Sequence, residues 1–362
     1  MIDLRLKIDP LPIVEPLVLR LCESERTDPS GHDAHLIRRE RDYREYEYLG
    51  FSVLVHATED MPLDGDVLLI VPGQGSAHRL IRASSKHNTL LVTEQCDQLC
   101  VMCSQPPKKH HVDLFDQFAI AATLAPSGAY IGISGGEPLL HKDRLFEFLA
   151  SAASARPDLR FHVLTNAQHF EPDDVGRLDA IGLDRVLWGV PLYASEAELH
   201  DHIVGKPGAF HRLERNLSLL TRAGASVELR TVVTQQNWEN LRGLANYVVN
   251  RTPFVSVWAL MQLERIGYGR MNWHKTFRDT SADFTMIRAA INLATAKGVA
   301  VSLFNFPLCS VPEPYRQFAP STISDWKRKY LDFCEGCSAR SACGGFFEWY
   351  SHTEGFSELG QI

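Results

Sequence analysis

The sequence lacks any run of about 18 consecutive apolar residues, so no transmembrane helix is expected. It lacks a basic excess: 37 Lys and Arg stand against 44 Asp and Glu, a formal charge of −7. A mildly acidic surface argues against a dedicated nucleic-acid binder, which carries a basic face. The start, Met1-Ile2-Asp3-Leu4-Arg5, is too charged and mixed to be a secretory signal, and a soluble, cytoplasmic protein is expected. No low-complexity tract and no short-period repeat occurs. With 45% hydrophobic residues in 362, the chain reads as globular, and its length suits two domains or one large α/β domain with appendages.

Against these absences stand eight cysteines, and their positions are uneven. Cys22 is isolated and reads as a buried, incidental thiol. Cys96, Cys100 and Cys103 form a tight group, and Cys309, Cys334, Cys337 and Cys343 form another. Disulfides are rare in a reducing compartment, where clustered thiols read as metal ligands or redox groups.

The regions between differ in pattern. Residues 1–88 are read as a small β-containing module, with strands at Leu49–Val55 and Asp66–Val71 closed by Pro72-Gly73. Glu23–Arg44, crowded with charge, is read as a solvated loop or short helical segments. From residue 89 the sequence becomes regular. Leu90–Val92, Tyr130–Ser134, Arg160–Leu164, Arg185–Val190, Val227–Val233 and Phe254–Leu260 are short apolar runs of the kind that buried parallel strands require. Between them lie helical stripes, such as Leu145–Ala150, then Phe210, Leu213, Leu217 and Leu220 closed by Gly224, then Leu241, Leu244, Val248 and Val249. Strand–helix alternation implies a parallel α/β sheet with right-handed crossovers. Six units fit a partial (β/α)6 barrel over 89–305 better than a closed eightfold one. Residues 306–362 form a Cys-rich C-terminal domain.

Cys96-Asp97-Gln98-Leu99-Cys100-Val101-Met102-Cys103 follows the first of these strands, at the edge where α/β folds bind ligands. Three thiolates can hold three irons of a cubane and leave the fourth open. Zinc with a fourth ligand such as His110 satisfies the same spacing. After the second strand comes Gly135-Gly136-Glu137-Pro138, where two glycines permit close backbone approach and proline fixes the exit.

Together, C-x3-C-x2-C after one strand and Gly-Gly-Glu-Pro after the next resemble the radical S-adenosylmethionine (radical SAM) superfamily, over roughly residues 89–305. The resemblance implies a 4Fe–4S cluster on Cys96, Cys100 and Cys103, with S-adenosylmethionine chelated to its open iron. It further implies that Gly135, Gly136 and Glu137 meet the methionine amino group and that the backbone of Met102 meets adenine. Met102 stands where an aromatic residue is common. Thr165-Asn166-Ala167 is similar to the family's Thr-Asn-Gly without its glycine, and Asn166 is carried over as a cofactor contact. Pro191-Leu192-Tyr193-Ala194 replaces a common Ser-Leu-Asp-Gly. Arg230 is a candidate for the methionine carboxylate, because a fork of donors suits that anion; a structural salt bridge is the competing role.

The second group, Cys309, Cys334, Cys337 and Cys343, offers four thiolates that suit zinc or a cubane equally by spacing. After a radical SAM core it resembles the auxiliary-cluster extensions called SPASM and twitch domains, which implies one second 4Fe–4S cluster here. Ser104-Gln105-Pro106-Pro107 and Cys343-Gly344-Gly345-Phe346-Phe347 resemble maturases of the His-Xaa-Ser system. That resemblance implies a ribosomally made peptide precursor as substrate, a partner radical SAM protein, a small accessory protein and an electron donor such as flavodoxin or ferredoxin.

The remaining candidates have plainer readings. Tyr193, Glu264, Arg265 and Tyr268 lie at strand ends facing the barrel mouth, where Tyr193, Glu264 and Tyr268 are candidates for proton transfer. His110-His111 reads as a solvated turn, and Phe346–Tyr350 as packing of the C-terminal domain. The expected function is radical-based hydrogen abstraction from a peptide after reductive cleavage of S-adenosylmethionine. The alternatives are radical modification of a small molecule or RNA, or a non-catalytic zinc scaffold.

Overall fold

The structure, a computed structural model, describes residues 3–182 and 184–362. Its N-terminal part is β1 (Arg5–Ile8), β2 (Leu17–Cys22), β3 (Asp33–Arg39), β4 (Tyr43–Tyr48), β5 (Phe51–His56), β6 (Val67–Ile70) and β7 (Ser76–Ile81). These strands close into a barrel in the order β1-β5-β4-β3-β2-β6-β7, antiparallel except where β2 lies parallel to β3. Closure removes the open strand edges. Alternation explains how this barrel joins the rest. In β6, Leu68 and Ile70 fill the barrel's own core with Leu19, Leu21, Tyr46 and Val53. Val67 and Leu69 face outward and join Val18 and Ile81 in the larger core, against the helix Phe115–Thr123.

Two expectations for this region change. The charged stretch Glu23–Arg44 contains β3 and the start of β4, not a loop or helical segments. A strand on a small barrel buries one face only, so Ala34 turns in while His35, Arg38 and Arg39 stay in water. The charge count registered the wet face. Asp33 is buried against the Arg20 guanidinium, with Nε donating at 2.7 Å. Leu49-Gly50 is not strand but the β4–β5 hairpin turn, with both residues at positive φ, +50° and +84°. That geometry is expected of a two-residue hairpin loop.

The second part is an open, parallel, seven-stranded sheet in chain order: β8 (Asn88–Thr93), β9 (Tyr130–Gly135), β10 (Arg160–Leu164), β11 (Val186–Pro191), β12 (Ser226–Val232), β13 (Val257–Met261) and β14 (Val301–Phe304). The six expected strands are present. Six strand–helix units are completed by a seventh strand, β14, whose four residues are too short to stand out by pattern. Helices α1 (Phe115–Thr123), α2 (Lys142–Ala155), α3 (Asp174–Ile181), α4 (Ala197–Val204), α5 (Ala209–Arg222), α6 (Leu241–Arg251), α7 (Gly267–Met271), α8 (Trp273–Thr276) and α9 (Thr285–Ala296) connect them. In α5 the stripe Phe210, Leu213, Leu217 and Leu220 is buried, and the chain turns away at Gly224 with φ +70°.

Side chains alternate across this sheet. Ile131, Ile133, Phe161, Val163, Trp188, Val227, Leu229 and Trp258 pack outward under the helices. The concave face carries His162, Gly189, Glu228, Arg230 and Phe304. After β14 the chain runs through short 3-10 turns and a two-residue antiparallel pairing of β15 (Arg328–Lys329) with β16 (Phe346–Phe347). Arg82, just after β7, forks onto Asp325 at 2.9 and 2.7 Å, tying the β7–β8 link to this C-terminal segment. Among the described residues no helix is long and apolar enough to cross a membrane.

Candidate active site

The loop after β8 carries the first three cysteines, and three elements clamp it. From α4, the Val204 and Ile203 carbonyls accept the Leu99 and Val101 amides at 3.0 and 2.9 Å. From α7, the Tyr268 amide donates to Cys103 O at 2.8 Å, and Asn272 Nδ2 donates to Val101 O at 2.8 Å. Two glycines make the approach feasible. A Cβ on Gly205 would meet Leu99 O at 2.8 Å, and one on Gly267 would meet Cys103 O and Ser104 O at 2.6 Å each. Met102 is buried with Ile203, Leu263 and Trp273, so its side chain anchors the loop.

Asp97, inside the loop, supplies the third clamp. It accepts from Asn166 Nδ2 at 2.8 Å and His169 Nε2 at 2.9 Å, and it pairs with Lys206. Burial raises its carboxyl, but the hydrogen bonds from His169, Lys206 and Asn166 outweigh burial and hold it well below the usual range.

The Gly-Gly-Glu-Pro turn meets this loop from β9. A Cβ on Gly135 would stand 1.9 Å from Thr93 O, and one on Gly136 2.0 Å from Gln95 O. The Gly136 and Glu137 amides donate to those same carbonyls at 2.9 and 2.7 Å. Both glycines therefore serve the seam between the two loops. Glu137 is fully buried, and its carboxylate accepts from the Leu139 amide at 2.8 Å, the Thr165 hydroxyl at 2.6 Å and the Asn166 amide at 2.5 Å. Burial pushes its carboxyl up to about 7, with those three donors opposing. The Gly135–Glu137 turn is the stretch expected to meet the methionine amino group; the Glu137 side chain itself joins the end of β9 to the end of β10. Asn166 is likewise committed, donating to Asp97 and accepting from the Gln168 amide at 3.0 Å. Ala167, in place of the glycine, keeps a left-handed φ of +55° and is fully buried.

The concave face below continues the site. Glu228 is buried and pairs with Arg230, while His162 Nε2 lies 3.3 Å from its carboxylate. Gly189 makes room for them: a Cβ there would meet His162 Nε2 at 2.9 Å and Arg230 Cδ at 3.1 Å. Arg230 thus faces the lumen already partnered by an acid that sequence reasoning missed, although the acid lies two residues away, on the same face of β12. Tyr193 stacks on His200. Burial, and then the charges of Cys100, Cys103 and Cys96 against that of Arg230, push its phenol well up, and the ring packs in the cluster of Met102, Ile203 and Cys100.

Glu264 meets Lys327 Nζ at 3.4 Å, and burial raises its carboxyl against that cation. Arg265 pairs with Glu354, whose carbonyl accepts from Trp273 Nε1 at 2.6 Å. These residues, just after β13, seat the C-terminal segment on the barrel mouth. Tyr268 contributes its amide to the cysteine loop. His111 stacks on His141 at 3.7 Å, and His141 Nε2 lies 3.1 Å from Gln95 Oε1. Cys22 is a buried thiol raised to about 11, first by burial.

All eight cysteines are free thiols. In the second group, Cys343 Sγ accepts the Leu308 and Gly345 amides, each at 3.3 Å. Burial, a backbone hydrogen bond at Gly360 and the charges of Cys343 and Cys334 act on Cys309, raising it to about 11. Cys334 is raised by burial and by Cys343 and Cys337. In the first group, burial raises Cys96 to about 11 against a backbone hydrogen bond at Gln98, and Cys100 and Cys103 are also raised, chiefly by burial. In each group backbone donors meet sulfur and neighbouring thiols add to the rise that burial causes. Such donors tune cluster ligands. The donor chemistry of each set, soft thiols with backbone N–H groups at sulfur, is that of iron–sulfur ligands, and loading either set must displace the thiol protons. Among the described residues no three His, Cys, Asp or Glu side chains close on a single metal ion. Phe346 and Phe347 are buried beside the second group.

Comparison with known proteins follows the same lines. Residues 90–248 match the family model of the radical SAM superfamily. The chain is 34% identical over 109 residues to an AdoMet-dependent heme synthase of Methanosarcina barkeri, covering 30% of each protein. It is 28% identical over 153 residues to a PqqA peptide cyclase of Methylocella silvestris, covering 41% of this chain and 40% of the cyclase. The matched stretch is less than half the length of either relative. The crystal structure of Streptococcus suis SuiB bound to S-adenosylmethionine superposes with a TM-score of 0.52 at 14% identity, covering 64% of this chain and 53% of that one, which is a likeness of fold.

Proposed function

We propose that the chain is a radical SAM maturase acting on a ribosomally made peptide, a reading supported by the match of residues 90–248 to the radical SAM superfamily and by a peptide cyclase among the similar proteins. Cys96, Cys100 and Cys103 would hold the cluster that binds S-adenosylmethionine, and Cys309, Cys334, Cys337 and Cys343 an auxiliary cluster. The backbone of Gly135–Glu137 and of Met102, with Arg230, would contact the cofactor. Asn166 would contribute indirectly, by holding Asp97. When bound, the cluster and S-adenosylmethionine supply a 5′-deoxyadenosyl radical after one-electron reduction. The chain's own task is to hold the target carbon over the lumen and keep water out. Residues 1–88, 89–305 and 306–362 would be the three domains.

The observation that carries the peptide reading is the seat of the C-terminal cysteine segment. Glu264–Lys327 and Arg265–Glu354 fix it at the end of β13, on the same edge of the sheet as the first cysteine loop. A substrate between them would be flanked by both groups, an arrangement suited to a chain passing through. A precursor of the His-Xaa-Ser type, with a partner radical SAM protein, a small accessory protein and a flavodoxin or ferredoxin donor, follows from the motif resemblance. The heme synthase similarity favours a second reading, radical chemistry on a small molecule.

Anaerobic incubation with S-adenosylmethionine, a reductant and a synthetic peptide carrying His-Xaa-Ser repeats tests the proposal. Formation of 5′-deoxyadenosine with a defined mass change in the peptide is expected. A colourless protein containing stoichiometric zinc and no sulfide would overturn it.

A further inference from the structure

Resting on the reading of the substrate as a peptide, we infer that a groove between α5 and the loop after β10 binds an acidic segment of that peptide. The groove encloses about 380 Å³ and lies outside the lumen. Arg212 and Arg215 of α5 form one wall, and His169 and Glu171 line the other. Arginines three apart share a helix face, and their planar forks match carboxylates. The nearby acids have other partners: Glu171 shares Lys142 with Asp174, at 2.8 and 3.0 Å, and Glu214 of α5 meets His211 at 3.2 Å and the Tyr247 hydroxyl at 2.7 Å. Among the described residues Arg212 and Arg215 have no carboxylate partner, and on a chain of net charge −7 they make a local positive site rather than part of a general basic surface.

The walls are held before any ligand arrives. Asn216 Nδ2 donates to Ala167 O at 2.7 Å, and Gln168 Nε2 donates to Asn166 O at 3.2 Å and Ala209 O at 3.1 Å. Preorganisation of this kind lowers the ordering cost of binding. His169, in the groove wall, also reaches Asp97 of the cysteine loop at 2.9 Å. An occupant touching His169 is thus one hydrogen bond from that loop. A single-stranded nucleic acid would need a longer basic track with exposed stacking rings, whereas Phe170 beside the groove is buried.

The test uses the whole reconstituted protein and three fluorescein-labelled probes of equal length: an alternating Glu-Gly peptide, its Lys-Gly counterpart and an oligothymidylate. Fluorescence anisotropy should show binding of the Glu-Gly probe alone, weakening as salt rises. The double variant R212E/R215E should weaken it by about tenfold or more, and R242E, an exposed reversal on α6, should leave it unchanged. Circular dichroism and retained 5′-deoxyadenosine formation establish that the double variant is folded. Undiminished Glu-Gly binding in a folded double variant overturns the groove, as does an equal loss in R242E or tighter binding of the oligothymidylate. If the wild-type protein forms no 5′-deoxyadenosine while acidic-peptide binding still depends on Arg212 and Arg215, the radical reading fails and the groove stands.

Discussion

The two cysteine groups are built in opposite ways. The first loop is held through its backbone by parts distant in sequence: α4 grips Leu99 and Val101, α7 grips Cys103, and Asp97 gathers Asn166, His169 and Lys206. The second has little regular structure around it. Cys309 and Cys334 lie in short 3-10 turns, and the knuckle is strapped by the residues that follow it, with Ser338 donating to Ile362 O and Gln361 to Phe333 O. A site held by its scaffold keeps its shape without its metal. A site held by short turns depends on the metal for its folding free energy. The first group is therefore expected to be preorganised for chemistry and the second to order with its cluster.

The largest effect expected from this contrast is chemical. Replacing Cys96, Cys100 or Cys103 singly with Ala should reduce 5′-deoxyadenosine formation to background, measured chromatographically after anaerobic reconstitution. The protein should stay folded, because the clamps on the loop, its backbone hydrogen bonds to α4 and α7 and the Asp97 carboxylate, do not use the three thiols. Substantial cleavage by a fully reduced single variant would remove the thiol concerned from the ligand set.

The second group should respond in the reverse sense. Reconstituted protein is expected to hold about eight irons, about four in each of two cubane sites. C334A/C337A should halve that number while S-adenosylmethionine binding persists, and amide exchange should rise across residues 306–362 but not at β8 or β9. Unchanged iron, or loss of one zinc, would make the tail a zinc knuckle. Equal exchange in both regions would mean that the two cysteine groups do not differ in how they are held.

An intermediate effect isolates the clamp from the ligands. Asp97→Ala removes the acceptor shared by Asn166, His169 and Lys206. Hydrogen bonds to charged groups place the cost at about 2–3 kcal/mol, to be read from urea unfolding. Iron at the first group should become labile to a chelator while the C-terminal iron does not. If both pools are lost together, the clamp stabilises the whole fold and not the loop.

These differences in construction also decide what could be read without coordinates. The strands β8 to β13 and the cysteine spacing were legible because both are local: an apolar run and a thiol interval need no partner to be recognised. The closed N-terminal barrel was largely illegible. Its strands are as long as those of the sheet, but β3 shows charge on its outer face, and closure depends on β7 returning to β1, a pairing of Leu6 with Ala77 across most of the module. The role of Glu137 was also hidden, since its partners Thr165 and Asn166 lie 28 and 29 residues away. Asp97 stood in plain view between two cysteines, but what it holds lies up to 109 residues further on. Arg230 was recognisable as a cation on a lumen-facing strand, whereas its pairing with Glu228 required the strand's alternation to be read for polar residues as well as apolar ones.

The smallest effect concerns Ala167, and its sign is instructive. The residue sits at φ +55° next to Asn166, where a left-handed conformation costs a non-glycine residue about 1–2 kcal/mol. Ala167→Gly relieves that strain. It also removes a fully buried methyl, losing about 0.8 kcal/mol, and gives the unfolded chain extra freedom worth about 0.5–1 kcal/mol. The three terms nearly cancel, so the variant should unfold within about 1 kcal/mol of the parent. That cancellation is why alanine is tolerated where the motif has glycine. Ala167→Val cannot share it: a β-branched side chain is worse in this conformation and has no space in a packed core, and a loss of about 2–3 kcal/mol is expected. Denaturant midpoints of the two variants provide the measurement. A gain well above 1 kcal/mol for the glycine variant would mean that the methyl contributes nothing to packing and that the loop holding Asp97 is strained in the parent.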